Sequence, residues 1–185
     1  MNFTVDQLEQ FDKEGILFVP DLFDLSEVNI LNSRLSTLLK NRSPKVLRER
    51  NSDSVRSVIA PHLEDEVFRR LSLHPRIIKP AQQILGGDVY LHQFKINAKE
   101  AHDGEIWHWH QDYRTWHEDD GMPEPDVINA TIFLDEVSEF NGPMMFIPGS
   151  HKRGRIESDN DFERVPEYGR LSADAVGSPY KKETI

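Results

Sequence analysis

Apolar positions along this chain recur first at helical and then at strand spacing, and the change between the two divides it. Thr4 followed by Gln7 has the form of a capping box, and Leu8 and Phe11 sit three apart, which predicts a short helix over residues 5–13 ended by Gly15. Ile16-Leu17-Phe18-Val19, stopped by Pro20, is the pattern of a short buried strand. Ser26 can cap a second helix on which Val28, Leu31, Leu35 and Leu38 form one apolar stripe. Residues 41–53 are polar and charged, and Val55-Arg56-Ser57-Val58-Ile59 then reads as a strand with Arg56 and Val58 on one side. Residues 63–85 predict helix in two pieces, with Val67, Phe68 and Leu71 on the first and Ile77, Ile78, Ala81, Ile84 and Leu85 on the second. Pro75 suits a first turn, Pro80 kinks or delays the second helix, and Gly86-Gly87 stops it. These helices are read as packing that buttresses a sheet.

From Val89 the period shortens to two. Over residues 89–97, Leu91, Gln93, Lys95 and Asn97 alternate with Tyr90, His92, Phe94 and Ile96. Turned to water, the polar row is an ordinary strand surface; turned into a barrel, Gln93, Lys95 and Asn97 form a donor row suited to a small dicarboxylate. Residues 127–134 predict a further strand, Asn141-Gly142-Pro143 a sharp turn, and Met144-Met145-Phe146-Ile147 a strand closed by Pro148-Gly149-Ser150-His151. Short strands between turn signals point to a sandwich or jelly roll. From Lys152 on the chain is charged and poor in apolar residues, the composition of a mobile loop or lid.

Between the two sets of strands lies Trp107-His108-Trp109-His110-Gln111-Asp112-Tyr113. As a strand it would carry His108, His110 and Asp112 on one face at a spacing of roughly 6.6 Å, close enough for an imidazole and a carboxylate to meet on one ion. Two such donors and a distant histidine make the facial triad of non-haem Fe(II) oxygenases. A lone His-x-Asp is equally an ordinary hydrogen-bonded pair. The loop from Arg114 to Pro123 carries Trp116, read either as a pocket wall or as a core anchor. Arg56 and His62 are within the choice of groups for a substrate carboxylate, against the alternative of a solvated loop.

Composition narrows the chemistry. Lys+Arg 22 against Asp+Glu 32 leaves a net charge of −10, which disfavours nucleic acid or an anionic membrane as partner. With Cys 0 there is no thiolate site, so a metal must take His, Asp, Glu or water, a donor set suited to iron or manganese. The amino terminus has no basic region followed by an apolar run, and no apolar segment approaches ~18 residues, so a cytoplasmic protein is expected. Oligomeric state has no signal here.

The run over residues 89–97, then Trp109-His110-Gln111-Asp112-Tyr113, Asp120-Gly121-Met122-Pro123, Phe140-Asn141-Gly142-Pro143 and Pro148-Gly149-Ser150-His151-Lys152-Arg153-Gly154, resembles the phytanoyl-CoA dioxygenase family. Within it the chain is most similar to the leucine 5-hydroxylase group and, next, the ectoine hydroxylases. The resemblance implies a mainly β fold, a double-stranded β-helix (jelly roll, cupin-like) buttressed by amino-terminal α-helices. It implies one domain over residues 1–185, with a helical part at 1–88, β-helix strands at 89–151 and a loop or lid at 152–185. It also implies Fe(II) held by His110, Asp112 and a distal histidine, 2-oxoglutarate as cosubstrate, and O2. Gln93, Lys95, Asn97, Asn129 and Thr131 would contact the cosubstrate, while Arg56, His62 and Trp116 would face the substrate, a small amino acid. The implied reaction hydroxylates an unactivated C–H of a leucine-like amino acid and yields succinate and CO2, with ectoine or another small metabolite as the alternative substrate.

The family's distal histidine and 2-oxoglutarate-binding arginine belong to later strands. After Asp112 only His117 and His151 follow, and neither matches, so the last strands are expected beyond Ile185. A halogenase is disfavoured because Asp112 fills the position a halide needs, and a cupin pair of His108 and His110 lacks its glutamate, since Arg114 and Thr115 stand there. From another class, a non-catalytic jelly-roll binding module with half a metal site is the competing reading.

Overall fold

Two capping boxes set the first two helices of the structure, a computed structural model that describes residues 1–49, 52–99, 109–138, 141 and 143–154. In α1 (Val5–Glu14) the Thr4 hydroxyl accepts from the Gln7 N–H at 3.3 Å, and the Gln7 side chain accepts from the Thr4 N–H at 3.0 Å. Helix α2 (Leu25–Leu38) is capped by Asp24, with Glu27 reaching back, rather than by Ser26. Ser26 lies inside the first turn and donates its hydroxyl to the Asp24 carboxylate at 2.5 Å, and an ionised cap is the better partner for the helix dipole. The two expected pieces that follow are α3 (Glu66–Ser72) and α4 (Pro75–Leu85). Pro75 starts α4, and Pro80 is accommodated inside it, buried, without ending the helix.

Strands β1 (Val46–Arg48), β2 (Val55–Ile59) and β3 (Lys95–Asn97) form an antiparallel sheet in that order. Ser57 faces Asn97, Val58 faces Ile96 and Ile59 faces Lys95, so Val58 and Ile96 share one face while Lys95 and Asn97 take the other. The apolar face packs under the helices: Phe94 and Ile96 join Leu31, Leu38 and Phe68, while Val58 joins Val46 and Val55. A separate cluster of Phe3, Phe11 and Leu17 secures the amino terminus, reinforced by a paired amide contact between Phe3 and Gln83 of α4 at 2.8 and 2.9 Å. On the β1 side Leu47 pairs with Ser57 and Arg48 with Val55, leaving Arg56 as the extra residue of a bulge.

Among the described residues helix exceeds strand. A strand exists only where a neighbour takes its N–H and C=O groups. Ile16-Leu17-Phe18-Val19, residues 89–94, residues 127–134 and Met144-Met145-Phe146-Ile147 have strand-forming side chains, yet none lies in a ladder among the described residues. Conversely β1 forms from a segment whose composition is polar, because β2 supplies its partner. No helix among the described residues is long and apolar enough to cross a membrane.

The expected mobile segment begins with a docked turn instead. Residues Ser150–Arg153 form one 3-10 turn seated on the end of α1: the Gly149 N–H donates to the Glu14 carbonyl at 2.7 Å, His151 Nε2 to the Asp12 carbonyl at 2.9 Å, and Lys152 pairs with the Asp12 carboxylate at 3.3 Å. These contacts satisfy carbonyls that a helix end leaves without intrahelical donors. Residues 155–185, the remainder of the expected loop, lie outside the described residues.

Gly15 sits beneath that turn at φ 77°, and a Cβ built on it would lie 2.2 Å from His151 Nδ1. Gly15→Ala is therefore expected to cost about 2–4 kcal/mol by urea unfolding, part left-handed strain and part overpacking, and adding His151→Ala should recover only the second part. Asp65 caps α3 while accepting from Arg34 Nε at 2.8 Å, and its side chain is buried. Burial alone would raise its carboxyl, but the Arg34 guanidinium and the Val67 and Phe68 N–H groups together hold it below the ordinary 3.8. Its charge thus contributes stability above about pH 4 that is lost as pH falls through the lowered value. The stability gap between the native protein and Asp65→Asn, which keeps the cap, should shrink in acid-range urea titrations.

Candidate metal and cosubstrate site

Helix α5 (Asp112–Asp119) begins where the alternation of the sequence predicts a strand to continue. Gln111 is still extended, at φ −108° and ψ 118°, and Asp112 is the first helical residue, with its carboxylate at the positive end of the helix. Tyr113 and Trp116 are buried on one side, and Arg114 and Glu118 pair at 3.1 Å on the other, so the stretch read as a loop from Arg114 is helix. The Arg114/Glu118 spacing and the acidic first residue were the signals for it. His108 and Trp107 lie outside the described residues.

His110 and Asp112 nevertheless converge, because the chain turns from extended to helical between them. His110 Nε2 lies 3.2 Å from Asp112 Oδ1. Two donors about 2.1 Å from one ion and at right angles stand about 3.0 Å apart, so the pair fits adjacent positions of an octahedral metal. The second oxygen, Oδ2, accepts from Asn129 Nδ2 at 2.7 Å, which leaves Oδ1 as the oxygen turned to His110. Burial alone would raise the Asp112 carboxyl. The bond to His110, the Lys95 charge and the Asn129 amide outweigh it and hold the group below the ordinary 3.8, in the ionised form a metal requires.

The other candidates separate into those near this pair and those held elsewhere. Lys95, on the outward face of β3, is close enough for its charge to act on Asp112. Asn97 shares that face, where its Oδ1 accepts from the Ser57 hydroxyl at 2.9 Å, turning the amide NH2 outward. Gln93 is exposed just before β3, and Thr131 is exposed two residues past Asn129. Arg56, at the bulge, pairs with the buried Glu49 carboxylate at 3.0 Å. His62 stacks on Phe94 at 5.7 Å, and Phe94 belongs to the helix-covered core. Arg56 and His62 thus have their described contacts with Glu49 and Phe94.

Trp116 is only 5% exposed. His92, absent from the sequence-based candidates, packs edge-on against it at 5.2 Å and binds Asp120 at 3.0 Å. No signal in the one-dimensional pattern joins residues so far apart. His117 and His151 are engaged with the Met122 carbonyl at 2.7 Å and the Asp12 carbonyl at 2.9 Å. Among the described residues no three metal-binding side chains stand together.

Residues 11–183 match the family Phytanoyl-CoA dioxygenase (PhyH), and the chain belongs to that family. Its relatives include the L-proline trans-4-hydroxylase of Streptomyces griseoviridis, 40% identical over 153 residues that cover 83% of this chain and 57% of that protein. The ectoine dioxygenase of Stutzerimonas stutzeri is 38% identical, covering 80% of this chain and 51% of the relative. Among solved structures, EctD from S. alaskensis with 2-oxoglutarate and 5-hydroxyectoine superposes with a TM-score of 0.74 at 33% identity, over 80% of this chain and 54% of that one. The same protein with bound Fe gives 0.71 at 32% identity, over 80% and 54%. The chain thus spans about half the length of the relatives it matches, and over that part it shares their fold.

Asn129→Ala should weaken Fe(II) binding roughly tenfold or more by isothermal titration, with little change in the unfolding midpoint, because it frees the carboxylate to rotate. Asp112→Ala should abolish binding at the same site.

Proposed function

We propose that this protein is an Fe(II)/2-oxoglutarate-dependent dioxygenase that hydroxylates an aliphatic C–H of a small free amino acid or similar zwitterion. The observation that carries the proposal is the imidazole and carboxylate of His110 and Asp112 at 3.2 Å, with the carboxylate's other oxygen tied to Asn129. That donor pair suits a borderline ion such as Fe(II). Bound with 2-oxoglutarate and O2, iron supplies the oxidising chemistry that yields succinate, CO2 and the hydroxylated product.

The chain's own residues bind and orient. His110 and Asp112 would hold the ion, and Asn129 keeps the Asp112 oxygen in place. Lys95 supplies a positive charge beside the site for a cosubstrate carboxylate, with the Asn97 amide and Gln93 as further donors on the same run. Buried Tyr113 and Trp116 close the helix side to water. Kinship with a proline hydroxylase and ectoine dioxygenases favours a compact cyclic zwitterion, and a leucine-like substrate follows from the sequence resemblance.

The deciding measurement is succinate formation that requires iron, 2-oxoglutarate and one of L-proline, L-leucine or ectoine. Turnover with at least one is expected, and His110→Ala or Asp112→Ala should lower it by more than about a hundredfold. If the protein forms neither succinate nor the visible charge-transfer band of an Fe(II)–2-oxoglutarate complex, the binding-module reading takes its place.

A further inference from the structure

Asp112, Trp116 and Asp120 follow one another at steps of four along α5 and so share one stripe of the helix and its cap. The run from His92 to Lys95 lies against that stripe. At one end the Lys95 charge acts on Asp112, and at the other His92 binds Asp120 at 3.0 Å. Between them the Trp116 ring is buried, with the His92 ring edge-on to it at 5.2 Å and 71°. The His92–Asp120 contact does no work in the proposed chemistry, yet it ties the run that leads into Lys95 to the cap of the helix that begins with Asp112.

We propose that His92 and Asp120 are a positioning clasp: by pinning the cap of α5 to the run that precedes β3, they set the register of Asp112 against Lys95 across the Trp116 ring. The contact is well placed for this. The Ala60 N–H donates to the Phe94 carbonyl at 2.8 Å, but residues 89–93 lie in no ladder among the described residues, so strand pairing fixes Phe94 and Lys95 and not His92. The His92 imidazole supplies both a hydrogen bond and an aromatic edge, whereas a lysine at that position would supply only charge. Met122 adds its N–H to the Trp116 carbonyl at 3.0 Å, so the turn after Asp120 closes on the same residue. Loss of the clasp is expected to let α5 slide along the run, and a displacement of that kind alters binding at the far end of the stripe.

The inference rests on the proposed binding of iron and 2-oxoglutarate for its first readout and not for its second. In the iron-loaded protein, His92→Ala and Asp120→Ala should each raise the dissociation constant for 2-oxoglutarate roughly tenfold, read from the charge-transfer band, while Fe(II) affinity without cosubstrate changes little. Asp120→Asn, which still accepts from the imidazole, should restore most of the affinity. In the metal-free protein, near-ultraviolet circular dichroism should show the tryptophan band reduced in both alanine variants, with Trp116→Phe marking that residue's share, and retained in Asp120→Asn. If the native protein gives no charge-transfer band, the proposed function fails and the dichroism alone decides the clasp. An unchanged tryptophan band in both alanine variants overturns it, as does a 2-oxoglutarate affinity within about twofold of native.

Discussion

Everything at the candidate site depends on the two-sided hold on one carboxylate. Asp112 presents Oδ1 to His110 at 3.2 Å and gives Oδ2 to Asn129 at 2.7 Å, from a position where extended chain turns into helix. The turn matters because it gives the carboxylate a rigid base on the first residue of α5, where helix dipole and a neighbouring lysine charge favour its ionised form. An aspartate in the middle of a strand would lack the first of these. The Asn129 amide then removes the rotational freedom that would let the second oxygen compete with the first.

The sheet supplies the other fixed point. Pairing of β2 with β3 turns Phe94 and Ile96 towards Leu31, Leu38 and Phe68, so Lys95 and Asn97 must face away from the helices. Burial of the apolar face is thus what selects the polar one, at roughly 1.5–3 kcal/mol for each large side chain removed from water. His62, in the turn after β2, stacks on Phe94, and Arg56 at the bulge pairs with Glu49.

The turn at Ser150–Arg153 binds the far end of the described chain back to its beginning. Its contacts with Asp12 and Glu14 complete the end of α1, and Gly15 is required there both for its positive φ and for the space the His151 ring occupies. A histidine in this motif therefore has a structural partner of its own, which accounts for its separation from His110 and Asp112.

What the sequence by itself determined is whatever short-range chemistry decides. Thr4 and Gln7 define the start of α1, Pro75 and Gly86 bracket α4, and the pairing of a histidine with an aspartate two residues on marks the site, as does the family resemblance carried by the ordered motifs. Tertiary structure alone decided that Asp112 opens a helix, that residues 127–134 bring Asn129 to it, and that Arg56 and His62 are taken by Glu49 and Phe94. It also decided which strand-like runs find a ladder and that His92 meets Asp120. The physical reason is common to all of these. A cap or a helix stop is settled by neighbours within a turn, whereas a ladder, a bulge or a second-oxygen contact exists only when segments far apart in the chain arrive together, and no local periodicity encodes that arrival.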